Sequence, residues 1–196
     1  DLFKQLIERR DRAGLLTYGR ACIDVLYRNY VAHELPGVTT ISLVQGECLG
    51  GGFEAALSCH WIVASRTAYF GFPESLFGVR PGMGAHALLA ARVGEEVAEE
   101  MISSANRYSA EFLHQIGVVD LLMEAGGGPS AVDAITRGVV QRRSPTSLET
   151  LHNLPYQQLV GEIEHWVEAV MAVSERHKRS MRYLLEAQRR RGLLKP

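Results

Sequence analysis

An α/β fold followed by an all-helical C-terminal portion is the architecture the sequence predicts. Three observations point there. Short β-branched or apolar runs alternate with segments of helical period through the first part of the chain. Glycine-rich turns stand where strand-like runs hand over to helical ones, and from about residue 130 onward only helical periodicity remains.

Residues 2 to about 34 carry apolar positions at Leu2, Phe3, Leu6, Ile7, Leu15, Leu16, Cys22, Val25 and Leu26, a spacing that predicts one long or two consecutive amphipathic helices. Pro36-Gly37 ends that pattern. Thr39 to Val44 is short, β-branched and apolar, the signature of a buried strand. Gly46 marks a turn, and Gly50-Gly51-Gly52 opens a helix that continues through Phe53 to Ser58. Trp61–Ala64 and Ala68–Phe72 read as two further strands. Pro81-Gly82-Met83-Gly84 precedes a helix beginning at Ala85, and a second helix follows from Glu95. Ser109 starts a short helix, Gly117 to Leu122 is strand-like, and Ser130 is expected to cap the helix after the Gly126–Pro129 loop. A long helical pattern then runs from about Leu159 to Arg191. Two regions are expected, an α/β core over residues 1–130 and a helical region over 131–196.

Bulk composition excludes several classes. With 46% hydrophobic and 22% charged residues, the chain can build a real core. A formal net charge of -1 supplies no field for nucleic acid or an anionic membrane surface. No apolar run approaches the roughly 18 residues a membrane span requires. Cys22, Cys48 and Cys59 show no CxxC spacing, and the simplest setting for them is a reduced cytoplasm. The seven histidines include no HExxH pair, so no metal is expected, and no GxSxG elbow is present. No cofactor is called for. Arg176-His177-Lys178-Arg179, with Arg182 and Arg189-Arg190-Arg191, reads as a solvated helix face, the alternative being a face that receives an acidic carrier protein or a phosphate. The chain opens at Asp1 with a helical pattern already running, so it is expected to be part of a longer one.

Leu49-Gly50-Gly51-Gly52-Phe53-Glu54 carries the chemistry. A glycine turn feeding a helix presents free backbone N–H groups that a ligand atom can approach closely. Such donors suit a phosphate or the oxyanion of an enolate, and the segment lacks the Gly-Lys-Ser/Thr of a P-loop. Glu74, twenty residues further in Gly71-Phe72-Pro73-Glu74, supplies a second carboxylate on a second strand-to-helix loop. Two such groups flanking one carbon can serve as base and acid.

The stretches LVQGECLGGGFEAALSCHWIVAS, AYFGFPESLFGVRPGMGAHALLAARVG and SAEFLHQIGVVDLL resemble the crotonase superfamily over most of residues 39–122. The resemblance implies a spiral of ββα units with a C-terminal helical region, assembled as a homotrimer. It places the paired catalytic glutamates on Glu54 and Glu74 and one oxyanion-hole N–H on Gly51, with the second donor upstream of Asp1. GGGFEAALSC, PGMGA and EIEHWVEAVM are most similar to diffusible signal factor synthases. That subfamily implies dehydration of a 3-hydroxyacyl thioester on acyl carrier protein, then hydrolysis to a free cis-2-unsaturated fatty acid used in quorum sensing. Its acyl pocket falls on Leu49, Gly50, Met83, Trp166 and Leu184. The alternatives are a conventional enoyl-CoA hydratase/isomerase working on a CoA thioester, and a non-catalytic binding protein of the same fold. On one straight helix Trp166 and Leu184 would lie roughly 27 Å apart, so a shared pocket requires a break between them.

Overall fold

The computed structural model describes residues 2–140, 154–177 and 179. The N-terminal pattern resolves into two helices, α1 (Leu2–Glu8) and α2 (Arg12–Tyr30). The break lies at Arg10, whose φ is 53°, and Asp11 restarts the helix by accepting the Gly14 N–H at 2.8 Å.

The spiral is built from strand pairs that divide between two sheets. In the first pair, β1 (Ile41–Val44) and β2 (Glu47–Leu49) lead into α3 (Gly51–Leu57). In the second, β3 (Trp61–Ser65) and β4 (Tyr69–Gly71) lead into a 3-10 turn at Pro73–Phe77. β1 pairs in parallel with β3, Ile41 opposite Trp61, while β2 pairs in parallel with β4, Glu47 opposite Tyr69. This register stacks the loop after β2 against the loop after β4. Glu54 and Glu74, twenty residues apart, follow those two strands. β2 was not expected, because three residues before a glycine turn are too few to show alternation.

Two helices follow, α4 (Ala85–Val93) and α5 (Glu95–Ser103), then β5 (Tyr108–Ser109), α6 (Ala110–Gln115) and β6 (Leu121–Met123). β5 adds antiparallel to β4 and β6 parallel to β3, giving orders β1-β3-β6 and β2-β4-β5. β3 is the central strand and is buried at all its positions, as a two-sided apolar run requires. β6 begins later than the expected strand at Gly117. Gly117 has φ 86°, and the N–H groups of Val118 and Val119 both turn back to the Leu113 carbonyl, so this stretch closes α6 instead of pairing.

α7 (Gly128–Thr136) starts two residues before Ser130 and runs across residue 130. Gly127 is its N-cap and Pro129 sits in its first turn, where proline's missing N–H is harmless; Ser130 is therefore inside the helix and does not cap it. α8 (Tyr156–Met171) covers only the first part of the long C-terminal pattern, ending at the Ala172 C-cap. It packs along α2, where Gly19 lets Ile163 approach: a Cβ there would stand 2.8 Å from Ile163 Cγ2. None of the helices in the described residues is long and apolar enough to cross a membrane.

Polar groups also hold the core. Arg92 of α4 and Asp120 form a fully buried pair at 3.4 Å. Asp120 accepts the Ile62 N–H, and Arg92 donates to the carbonyls of Cys59 and Val118. His60 is buried, its Nδ1 accepting the Thr40 N–H and its Nε2 facing the Tyr30 carbonyl, each at 3.0 Å. It joins the end of α2 to the first strand pair.

Candidate active site

Glycine conformation brings the pieces together. Gly50, the N-cap of α3, has φ 54° and ψ -126°, open to glycine and strained for other residues. Its bare Cα also makes room for a neighbour: a Cβ there would run into Glu74 Oε1. Gly51 follows as the first residue of α3, a position whose N–H has no acceptor inside the helix. A Cβ on Gly51 would meet Met83 Cε at 2.7 Å and lie 4.0 Å from Glu54 Oε2. The two carboxylates, the glycine N–H and Met83 therefore share one locus.

Phe53 anchors α3. It is fully buried and packs on Phe72 and Phe70, with ring centroids 4.8 and 5.1 Å away. That packing turns the next residue inward, and Glu54 is 1% exposed. Its Oε1 accepts the Met83 N–H at 2.7 Å. Burial pushes the Glu54 carboxyl up to about 8; the Met83 N–H pulls the other way, while the charges of Glu74 and Glu162 add to the rise. Glu74 sits in the 3-10 turn, held by Ser75 Oγ donating to the Ile102 carbonyl at 2.6 Å and closed by Gly78 with φ 70°. Its Oε2 is enclosed and accepts no hydrogen bond among the described residues. Burial raises the Glu74 carboxyl as well. Two carboxyl groups with raised affinity for protons at one glycine turn can serve a substrate as acid and base.

The expected acyl-pocket residues fall into three groups. Gly50 and Met83 join the carboxylates, and Leu49 is the half-buried last residue of β2, immediately before them. Trp166 is buried in α8 and lies against Gly82, where any Cβ would collide with the indole. Phe3 stacks on it with centroids 5.6 Å apart, and Tyr18 stands 6.5 Å away in the same ladder. Leu184 lies outside the described residues. Of the basic run, Arg176 and Arg179 are exposed, while Lys178, Arg182 and Arg189 to Arg191 lie outside the described residues.

Glu162 was missed in the sequence. On α8 it stands among Glu164, His165 and Glu168 and reads as part of a solvated face. It is half-buried, and its Oε1 accepts the Ala87 N–H at 3.2 Å. The available signal was its place one helical turn before Trp166 and beside Ile163, on the inward side.

Comparison with known proteins bears on the family and the fold. The enoyl-CoA hydratase/isomerase family matches residues 24–125, more than half of the chain. A mevalonyl-coenzyme A hydratase from Beauveria bassiana is 41% identical over 110 residues, covering 55% of this chain and 39% of that protein. The human peroxisomal bifunctional enzyme is 30% identical over 164 residues, covering 83% of this chain and 21% of that protein. Among solved structures, an enoyl-CoA hydratase/isomerase from Xanthobacter autotrophicus Py2 superposes with TM-score 0.69 at 27% identity, covering 97% of this chain and 71% of that one. The fold is crotonase-like, and the chain belongs to the enoyl-CoA hydratase/isomerase family. It spans well under half the length of the two curated relatives. These relatives fit a conventional hydratase better than a signal synthase.

Proposed function

We propose that the protein hydrates the C2–C3 double bond of an enoyl-CoA thioester, and runs the reverse dehydration, with Glu54 and Glu74 as the acid/base pair. The observation that carries this reading is that both carboxyl groups lie at the N-terminus of α3, beside Gly51, whose N–H has no acceptor within the helix. That N–H is placed to donate to the thioester oxygen as it gains charge. In hydration, one carboxylate takes a proton from water as the oxygen bonds to C3. The enolate formed at C2 then takes a proton from the other carboxyl, and the thioester carbonyl is restored. Dehydration reverses each transfer, so the proton count balances within the pair.

The test uses an enoyl-CoA substrate and follows loss of its conjugated absorbance. Glu54→Gln and Glu74→Gln should each lower turnover by about a hundredfold or more while leaving a folded protein. Near-normal turnover in either variant removes that residue from the chemistry, and an inactive wild-type protein ends the hydratase reading.

A second reading is favoured by the aromatic ladder. Trp166, Phe3 and Tyr18 lie behind the Pro81–Gly84 segment that carries Met83, where a long alkyl chain could end. This is the signal-synthase reading: a 3-hydroxyacyl-acyl carrier protein substrate, dehydration to the cis-2-enoyl form, and hydrolysis by water activated at the same pair, in a cytoplasmic homotrimer. Mass spectrometry of products decides it. Free cis-2-enoic acid from a carrier-bound substrate supports it; trans-2-enoyl thioester alone, with no free acid, sinks it.

A further inference from the structure

Glu54 is held from the start of α4 by backbone donors, the Met83 N–H at 2.7 Å and, more weakly, that of Ala85, so whatever holds this helix start also holds the carboxylate. The immediate neighbours of the Pro81–Gly84 segment provide little anchorage. Gly84, the N-cap of α4, has no side chain to close the helix, and its φ is 87°. The grip comes instead from α8, at three positions spaced to lie on one helical face. Leu159 packs against Gly84, Trp166 covers Gly82, and between them Glu162 accepts the Ala87 N–H in the first turn of α4.

We propose that Glu162 is a positioning residue: from α8 it fixes the N-terminus of α4, and through it the Met83 N–H that orients Glu54. The inference deepens the acid/base reading and rests on it. Two carboxylates from different elements thus serve one helix start, where unsatisfied N–H groups favour negative charge. Their charges also act on each other, and Glu162 is one of the groups that keep the proton on Glu54. Besides Glu162, Glu74 acts on Glu54, whose charge in turn bears on Cys22; His86, Arg80 and Glu95 act on Glu162.

Two variants separate the acceptor from the charge. Glu162→Gln keeps an oxygen for the Ala87 N–H and removes the charge. Its maximal turnover should stay within a few-fold of wild type, while the limb of the pH–rate profile that belongs to Glu54 moves to lower pH. Glu162→Leu removes both, and kcat should fall roughly tenfold or more from the misplaced carboxylate. Amide exchange at Met83 and Ala87 should quicken in that variant alone. If the leucine variant does not fold, Glu162→Asp, one methylene short of Ala87, replaces it. The 13C-carboxyl titration of Glu54 reads the same shift without any turnover. A wild-type protein that hydrates nothing therefore sinks only the hydratase reading, and the titration and exchange still decide this one. Unchanged Glu54 titration in Glu162→Gln, together with unchanged Met83 exchange in the leucine or aspartate variant, overturns the proposal.

Discussion

Replacing Glu54 by glutamine should make the protein more stable as it makes it inactive. Glu54 is 1% exposed and its carboxyl titrates near 8 in the folded chain, against an ordinary value of 4.5. The folded state therefore holds a proton that the unfolded state releases, over the whole interval between those values. Since stability falls with pH wherever the folded form binds more protons, the contribution of Glu54 to wild-type stability declines from pH 4.5 upward and levels off above pH 8. At about 1.36 kcal/mol per pH unit, the loss reaches about 3 kcal/mol at pH 7 and about 5 kcal/mol above pH 8. Glutamine has nearly the same shape, keeps an oxygen for the Met83 N–H, and has nothing to ionise. The assay is urea denaturation of both proteins between pH 4 and pH 9, with the midpoints converted at a common slope. Taking the difference cancels titrations that do not sense Glu54, which leaves its own contribution and its coupling to Glu74 and Glu162. The two proteins should be nearly equal at pH 4, and the variant should draw ahead as pH rises. A difference that does not change with pH would falsify the claim that Glu54 is held protonated by burial.

Two other perturbations test the site's construction. Gly50→Ala puts a Cβ against the Glu74 carboxylate on a backbone with φ 54°, so it should destabilise the protein by about 1 to 3 kcal/mol and abolish most activity; a stable, active variant would show that this contact is dispensable. Trp166→Ala empties a buried site under Gly82 and should cost about 3 to 5 kcal/mol in stability by thermal or urea unfolding. If Trp166 also bounds an acyl tunnel, turnover of medium-chain thioesters should fall well beyond that of a four-carbon one, and equal losses would return it to the core alone.

The site was legible where chemistry is written locally. The glycine turn shows in the sequence because at Gly50 only glycine tolerates both the positive φ and the close approach of a carboxylate, and Glu54 follows within about one turn. Glu74 was legible from its place twenty residues further on, after the strands at Trp61–Ala64 and Ala68–Phe72 and before a second glycine- and proline-rich helix start. What escaped depends on contacts between distant segments. Glu162 looks like its solvated neighbours until α8 is laid on α4, and no pattern within α8 announces the Ala87 N–H. His60 gave no readable signal, because its partners belong to α2 and to the residues before β1. The limits of β2 and α7 were obscured by short length and by competing turn residues, with Pro129 claiming the first turn that Ser130 was expected to cap.

The buried Arg92–Asp120 pair has a bearing on α4 as a mechanical part. At one end of this helix, Arg92 is bolted to the strands through Asp120 and the Cys59 and Val118 carbonyls. At the other, Met83 and Ala87 are held by carboxylates from two different helices. A rod pinned at both ends transmits rotation as well as distance. Each residue added to or taken from its interior turns one end by about 100° relative to the other and moves it about 1.5 Å. The length of α4 is consequently a matter of phase: only changes near whole turns would keep both ends facing their partners. Variation in chain length has to be absorbed outside it, in the stretches before Pro81 and after Val93.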